Sequence, residues 1–139
     1  MLPSVHIRVE SVVHPTEEES RVIDALKSLF PTLVFRAENL GENILLVGEE
    51  DNIGGVDHIK GLILKERIVD SARKVFRSNT ISQKTTVYFN KQVATVQRIS
   101  FCAPEGESPL GPITLTVESD RLNEVIDWLA PRTQKRQRG

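Results

Sequence analysis

Two-residue alternation is the pattern that most constrains this chain. Near the start Val5, Ile7 and Val9 alternate with His6, Arg8 and Glu10, and near the end Ile113, Leu115 and Val117 alternate with Thr114, Thr116 and Glu118. A strand sends successive side chains to opposite faces, so each run has one face to bury and one to leave polar. Helical spacing follows each run. Val22, Ile23, Leu26, Leu29 and Phe30 make one apolar stripe, and Leu122, Val125, Ile126 and Leu129 make another, each stopped by a proline (Pro31, Pro131). One-faced strands and one-striped helices can only bury each other. The predicted class is α+β, a mostly antiparallel sheet with helices packed on one face.

The interior of the chain fits the same scheme. Residues 32–37 and 43–48 read as strands joined by a turn-rich link at 38–42, and residues 85–89 read as another. Residues 97–103 alternate again, with Ile99 and Phe101 inward, and predict one more strand. Helices are expected over 56–64 and 67–77, and Asn90 is placed to cap a helical turn through Ala94. Thr16 and Glu19 have capping-box spacing, so the first helix is expected to start at Thr16, with Glu17, Glu18 and Glu19 at the positive end of its dipole.

The chain has 139 residues, enough to bury about two-thirds of its unfolded surface. One domain is expected over 1–131, with a basic, disordered tail at 132–139. Cys102 is the only cysteine, which excludes an internal disulfide and suits a reducing, cytoplasmic setting. No apolar run approaches a membrane span of about 18 residues, and the start lacks the pattern of a signal peptide.

Little points to catalysis. His6, His14 and His58 are scattered and lack the clustering of a metal site. The acidic loop at 49–55 lacks calcium-loop spacing. Gly54-Gly55 is not followed by the rest of a phosphate loop. Cys102 reads as a small, half-buried residue rather than a nucleophile. The expectation is no enzyme, no metal and no cofactor.

Charge is more informative. The whole chain sums to −1, yet residues 60–98 sum to +7 and residues 1–59 to −7. Concentrated positive charge attracts polyanions whatever the total. At 100° per residue Arg67, Lys74 and Arg77 share a helical face, with Arg73 at its margin. Lys84, Lys91 and Arg98 follow. These seven are the candidate phosphate ligands, with Tyr88 among them as a surface for base stacking. Ordinary helix chemistry accounts for part of the pattern, since Asp70 can pair with Lys74 and basic residues favour helix C-termini.

Several segments resemble a known family. They are residues 67–74, 85–94 and 107–113 and the run Asp127-Trp128-Leu129-Ala130-Pro131. Together they resemble the archaeal uncharacterised protein family two-zero-one, grouped under a predicted RNA-binding domain. Residues 109–117 and 120–129 are similar to the glycine turn, strand and closing helix of ribosomal protein L-five, which binds five-S ribosomal RNA. The resemblance implies an L-five-like fold and an RNA partner, structured or ribosomal, and carries over no catalytic residue. Its turn at 108–112, with two prolines and Gly111, is read as a structural bend. The runner-up reading is a homodimeric interaction module in which the acidic segment of one copy meets the basic segment of another.

Overall fold

The computed structural model describes residues 4–104 and 110–132. Six strands form one sheet in the order β2-β3-β1-β6-β5-β4, and every neighbouring pair is antiparallel. They are β1 (His6–Val13), β2 (Phe35–Leu40), β3 (Asn43–Glu50), β4 (Thr80–Ile81), β5 (Lys84–Phe89) and β6 (Ile113–Glu118). The helices are α1 (Glu19–Leu29), α2 (Asp57–Lys65), α3 (Val69–Ser78), the short α4 (Lys91–Ala94) and α5 (Leu122–Leu129), with a 3-10 turn at Ile53–Val56.

The alternation of the two outer segments brings them together at the centre. β1 lies between β3 and β6, with Ile7 opposite Val117 and Val9 opposite Leu115. Those four side chains are buried, as is Val87 opposite Leu115 on β5. The stripes of α1 and α5 join the same core with Phe30, Phe76 and Phe89. Each such large apolar side chain stabilises the fold by about 1.5–3 kcal/mol on burial. Phe101 lies between two core rings, meeting Phe76 edge-on at a centroid distance of 5.9 Å and Phe89 at 5.2 Å.

The opposite sheet face is a charged lattice. Glu49 meets three cations: Arg8 Nη1 donates to it at 3.1 Å, Arg36 Nη2 at 3.0 Å, and His6 Nε2 lies 2.8 Å away. His6 Nδ1 lies 2.6 Å from Asp51. Two carboxylates facing both ring nitrogens favour the imidazolium, because only that form donates from both. The Asp51 hydrogen bond, outweighing partial desolvation and joined by Glu49, holds the His6 pKa above 6.5. Val47 sits between Glu10 and Arg36 in this lattice and is fully buried.

Three expectations are corrected. The first helix starts at Glu19 rather than Thr16, and Glu18 precedes it without a side-chain cap. Glu17 is drawn away from the helix end to bind the His14 amide at 2.9 Å. The hairpin link is shorter than 38–42. Leu40 pairs with Asn43, so only Gly41 and Glu42 turn, and Gly41 takes a φ of +88° that suits the first position of a tight hairpin turn. Residues 97–103 do not form a strand. Gln97 has a φ of +62°, and beyond it only Phe101 bridges to Phe89. Alternation there reflects Ile99 and Phe101 packing against the core without a full ladder. The basic tail beyond Arg132 and residues 105–109, which include the first two positions of the predicted turn at 108–112, lie outside the described residues.

Candidate nucleic-acid interface

Of the seven predicted phosphate ligands, the fold leaves five on the surface and takes two inside. Arg67, Lys74, Arg77, Lys84 and Arg98 are exposed. Arg73 and Lys91 are 7% and 4% exposed, and both are spent on holding elements together.

Arg73 fastens α3 to the end of α5. Its Nη1 donates to Asp127 at 2.8 Å and to the Ala130 carbonyl at 2.9 Å. A cation at a helix C-terminus also meets the negative end of the dipole. Arg77, one turn on, reaches the same Asp127 only at 3.5 Å and stays solvated. On α2, Lys60 is similarly engaged, donating to the Trp128 carbonyl at 2.8 Å with its ammonium 4.5 Å from the ring centroid.

Among the described residues Lys91 is the most enclosed cation. Asn90 caps α4 through the Val93 amide at 3.0 Å, which aims the next side chain inward. The Lys91 ammonium donates to the Val12 carbonyl at 2.7 Å, the Leu110 carbonyl at 2.8 Å and both Glu17 oxygens at 3.2 Å. Burial pulls its pKa down against the attraction of Glu17. Burial alone would raise the Glu17 carboxyl, but hydrogen bonds from the His14 amide and ring, with the Lys91 charge, hold it below the ordinary range. No local sequence signal marks this, because the partner carboxylate lies 74 positions away.

The exposed five arise from local structure. Arg67 ends α2: its amide donates to Leu64 and the Ile68 amide to Ile63, the paired bonds of a Schellman motif. It occupies the left-handed position of that motif, with φ +58°, where glycine is favoured. Arg98 follows the left-handed Gln97 and lies 3.8 Å from Glu66, which also accepts from the Ile99 amide at 3.3 Å. Lys74 and Arg77 project from α3. Lys84, Thr86 and Tyr88 share one face of β5, since alternate residues of a strand do.

That face borders a groove of about 710 Å³. Its walls are Val75, Ser78 and Asn79 of α3, Ile81 of β4, Lys84, Thr86 and Tyr88 of β5, and residues 101–104. β4 covers the first two residues of β5 and Phe101 bridges Phe89, so the outer edge of β5 is open only between them, around Thr86 and Val87. Asn79 spans the opening, donating from Nδ2 to the Thr86 carbonyl at 2.9 Å. The groove thus offers a cation, a phenol ring and several small hydrogen-bonding groups. Sequence reading named Lys84 and Tyr88 but missed Ser78, Asn79 and Thr86, whose common setting depends on how α3 crosses β5.

Among the described residues, no group of three or more His, Cys, Asp or Glu could hold a metal ion. No helix among them is long and apolar enough to cross a membrane. Cys102 is half-buried in the groove wall.

A family model described as RNA binding matches residues 6–119. The UPF0201 protein of Sulfolobus acidocaldarius is 37% identical over 127 residues, covering 91% of this chain and 88% of that protein. The chain belongs to the UPF0201 family. Other archaeal members are as similar, including that of Sulfurisphaera tokodaii, which is 39% identical over 129 residues and covers 93% of this chain and 89% of its own. A crystal structure of the UPF0201 protein from Methanococcus jannaschii superposes with a TM-score of 0.82 at 26% identity, covering 94% of this chain and 96% of that one. A second UPF0201 crystal structure gives 0.77 at 31% identity, covering 92% and 94%. The matched span, residues 6–119, takes in the groove and all five exposed candidates.

Proposed function

We propose that this UPF0201 protein binds RNA without catalysis, through Arg67, Lys74, Arg77, Lys84 and Arg98. The observation that carries this reading is the convergence of Lys84 and Tyr88 on one open groove, in a chain matched by a family described as RNA binding. The cations hold phosphates, Tyr88 stacks on a base, and the groove hydroxyls and amide offer contacts to sugar and backbone. A single-stranded loop or end suits this best, because its bases are free to splay onto an aromatic ring. The likeness of residues 109–129 to ribosomal protein L-five supports a structured or ribosomal target by analogy only.

Arg67 adds an argument of its own. A non-glycine residue in left-handed backbone costs roughly 1–2 kcal/mol, so an arginine there points to a use for its side chain. Arg67→Gly is expected to raise stability by about 1 kcal/mol in urea titrations while weakening RNA binding and reducing its salt slope by roughly 0.7–0.9.

The reading is tested by fluorescence anisotropy with single-stranded and stem-loop RNA across a salt series. Binding that falls linearly in log–log form with salt, and favours the unpaired loop, is expected. No binding at low ionic strength overturns the proposal.

A second reading is a homodimer. Several acids of residues 1–59 are engaged within the chain, Glu17 with Lys91 and Glu49 with His6, Arg8 and Arg36, which leaves less charge to meet the basic segment of another copy. What favours a second copy is the edge of β2 at one end of the sheet, which no other strand among the described residues covers.

A further inference from the structure

We infer that β2 is the seat of a two-fold contact, in which the β2 strands of two copies pair antiparallel about Ala37 and join their sheets into one. The inference rests on the homodimer reading above and gives it a surface.

The free edge of β2 is a full strand, whereas the opposite edge, β4, is two residues long. A free edge presents unpaired amides and carbonyls, a ready template for another strand. The hairpin closes on the Leu40–Asn43 pair, so the alternation of an antiparallel ladder turns the backbone groups of Arg36, Glu38 and Leu40 toward β3. Those of Phe35, Ala37 and Asn39 point outward.

A two-fold axis through Ala37 satisfies these outward groups. Ala37 bonds the partner's Ala37, and Phe35 and Asn39 bond the partner's Asn39 and Phe35. The residues between then stand opposite each other as the closely spaced pairs of the ladder. Arg36 faces the partner's Glu38, and Glu38 faces the partner's Arg36. Val34 faces the partner's Leu40. Val34 and Leu40 are 85% and 53% exposed in the single chain, so the same register also covers two apolar side chains left in water.

Arg36 and Glu38 already pair within one chain at 3.1 Å, and across two copies charge still selects this register. An axis perpendicular to the sheet keeps directly opposed residues on one face, so the pairing can slip only in a way that preserves the pleat. The adjacent allowed registers set Arg36 against the partner's Arg36, or Glu38 against the partner's Glu38. Only the central one pairs opposite signs.

Sedimentation velocity of the full chain, from micromolar to submillimolar concentration, tests the contact. A dimer is expected. Ala37→Pro removes an outward amide from each copy without breaking the β2–β3 ladder, and is expected to weaken dimerisation roughly tenfold or more while the circular dichroism is unchanged. Arg36→Glu and Glu38→Arg are each expected to be monomeric alone and to form a heterodimer when mixed, because the mixture restores both opposite pairs. A dimer that ignores all three substitutions overturns the β2 contact but leaves the homodimer reading. A chain monomeric throughout overturns both.

Discussion

Lys91→Met is expected to destabilise the protein by about 3–5 kcal/mol in urea or thermal unfolding. The size comes from what is left behind. Glu17 and Lys91 side chains are 9% and 5% exposed, so removing the ammonium strands a carboxylate away from water. It also leaves the Val12 and Leu110 carbonyls without this donor. Replacing both members, as Glu17→Gln with Lys91→Met, is expected to recover much of the loss, since no buried charge is then unpaired. The deficit also depends on pH. In the native protein the Glu17 carboxyl is held below its ordinary value of 4.5. Its stabilisation is therefore present above that value and lost as pH falls through the lower, folded one. In Lys91→Met the carboxyl loses its cation and keeps the His14 hydrogen bonds, so its pKa rises from the native position. Acid then neutralises a buried charge and relieves the variant. The gap between native protein and variant should therefore narrow on acidification, and a gap that stays constant or widens would argue against this network.

The second large effect is on RNA. The triple variant Lys74→Glu, Arg77→Glu, Lys84→Glu is expected to bind single-stranded RNA roughly a hundredfold more weakly at about 0.1 M salt, with a log–log salt slope shallower by about 2. All three side chains are exposed, so their exchange should move stability by no more than about 0.5 kcal/mol each. Lys91→Met thus loses stability, whereas the triple variant loses the polyanion. Tyr88→Phe, which keeps the stacking ring, serves as the control and should bind nearly as the native chain does. Unchanged affinity in the triple variant would remove α3 and β5 from the interface.

Much of the fold was legible from residue order because its signals are local. The periods of β1, β6, α1 and α5 each depend on a handful of neighbouring residues, and all four match the burial they predict. Asn90 capping α4 is of the same kind. The misreadings have non-local causes. Glu17 looked like a helix-dipole residue until a lysine 74 positions away claimed it. Residues 97–103 alternate as a strand does, but the left-handed Gln97 leaves only a single bridge to β5.

The candidate interface divides the same way. Composition along the chain places +7 in residues 60–98, and that number holds in any fold. Which charges face water does not. Lys91 and Arg73 read like their neighbours in sequence, yet each is turned inward by a partner that only packing supplies, Glu17 from the start of α1 and Asp127 from α5. Periodicity specifies which face of an element is apolar, because that is a property of adjacent side chains. Tertiary structure decides which polar groups are consumed in joining elements, because desolvation and pairing depend on what arrives from elsewhere in the chain.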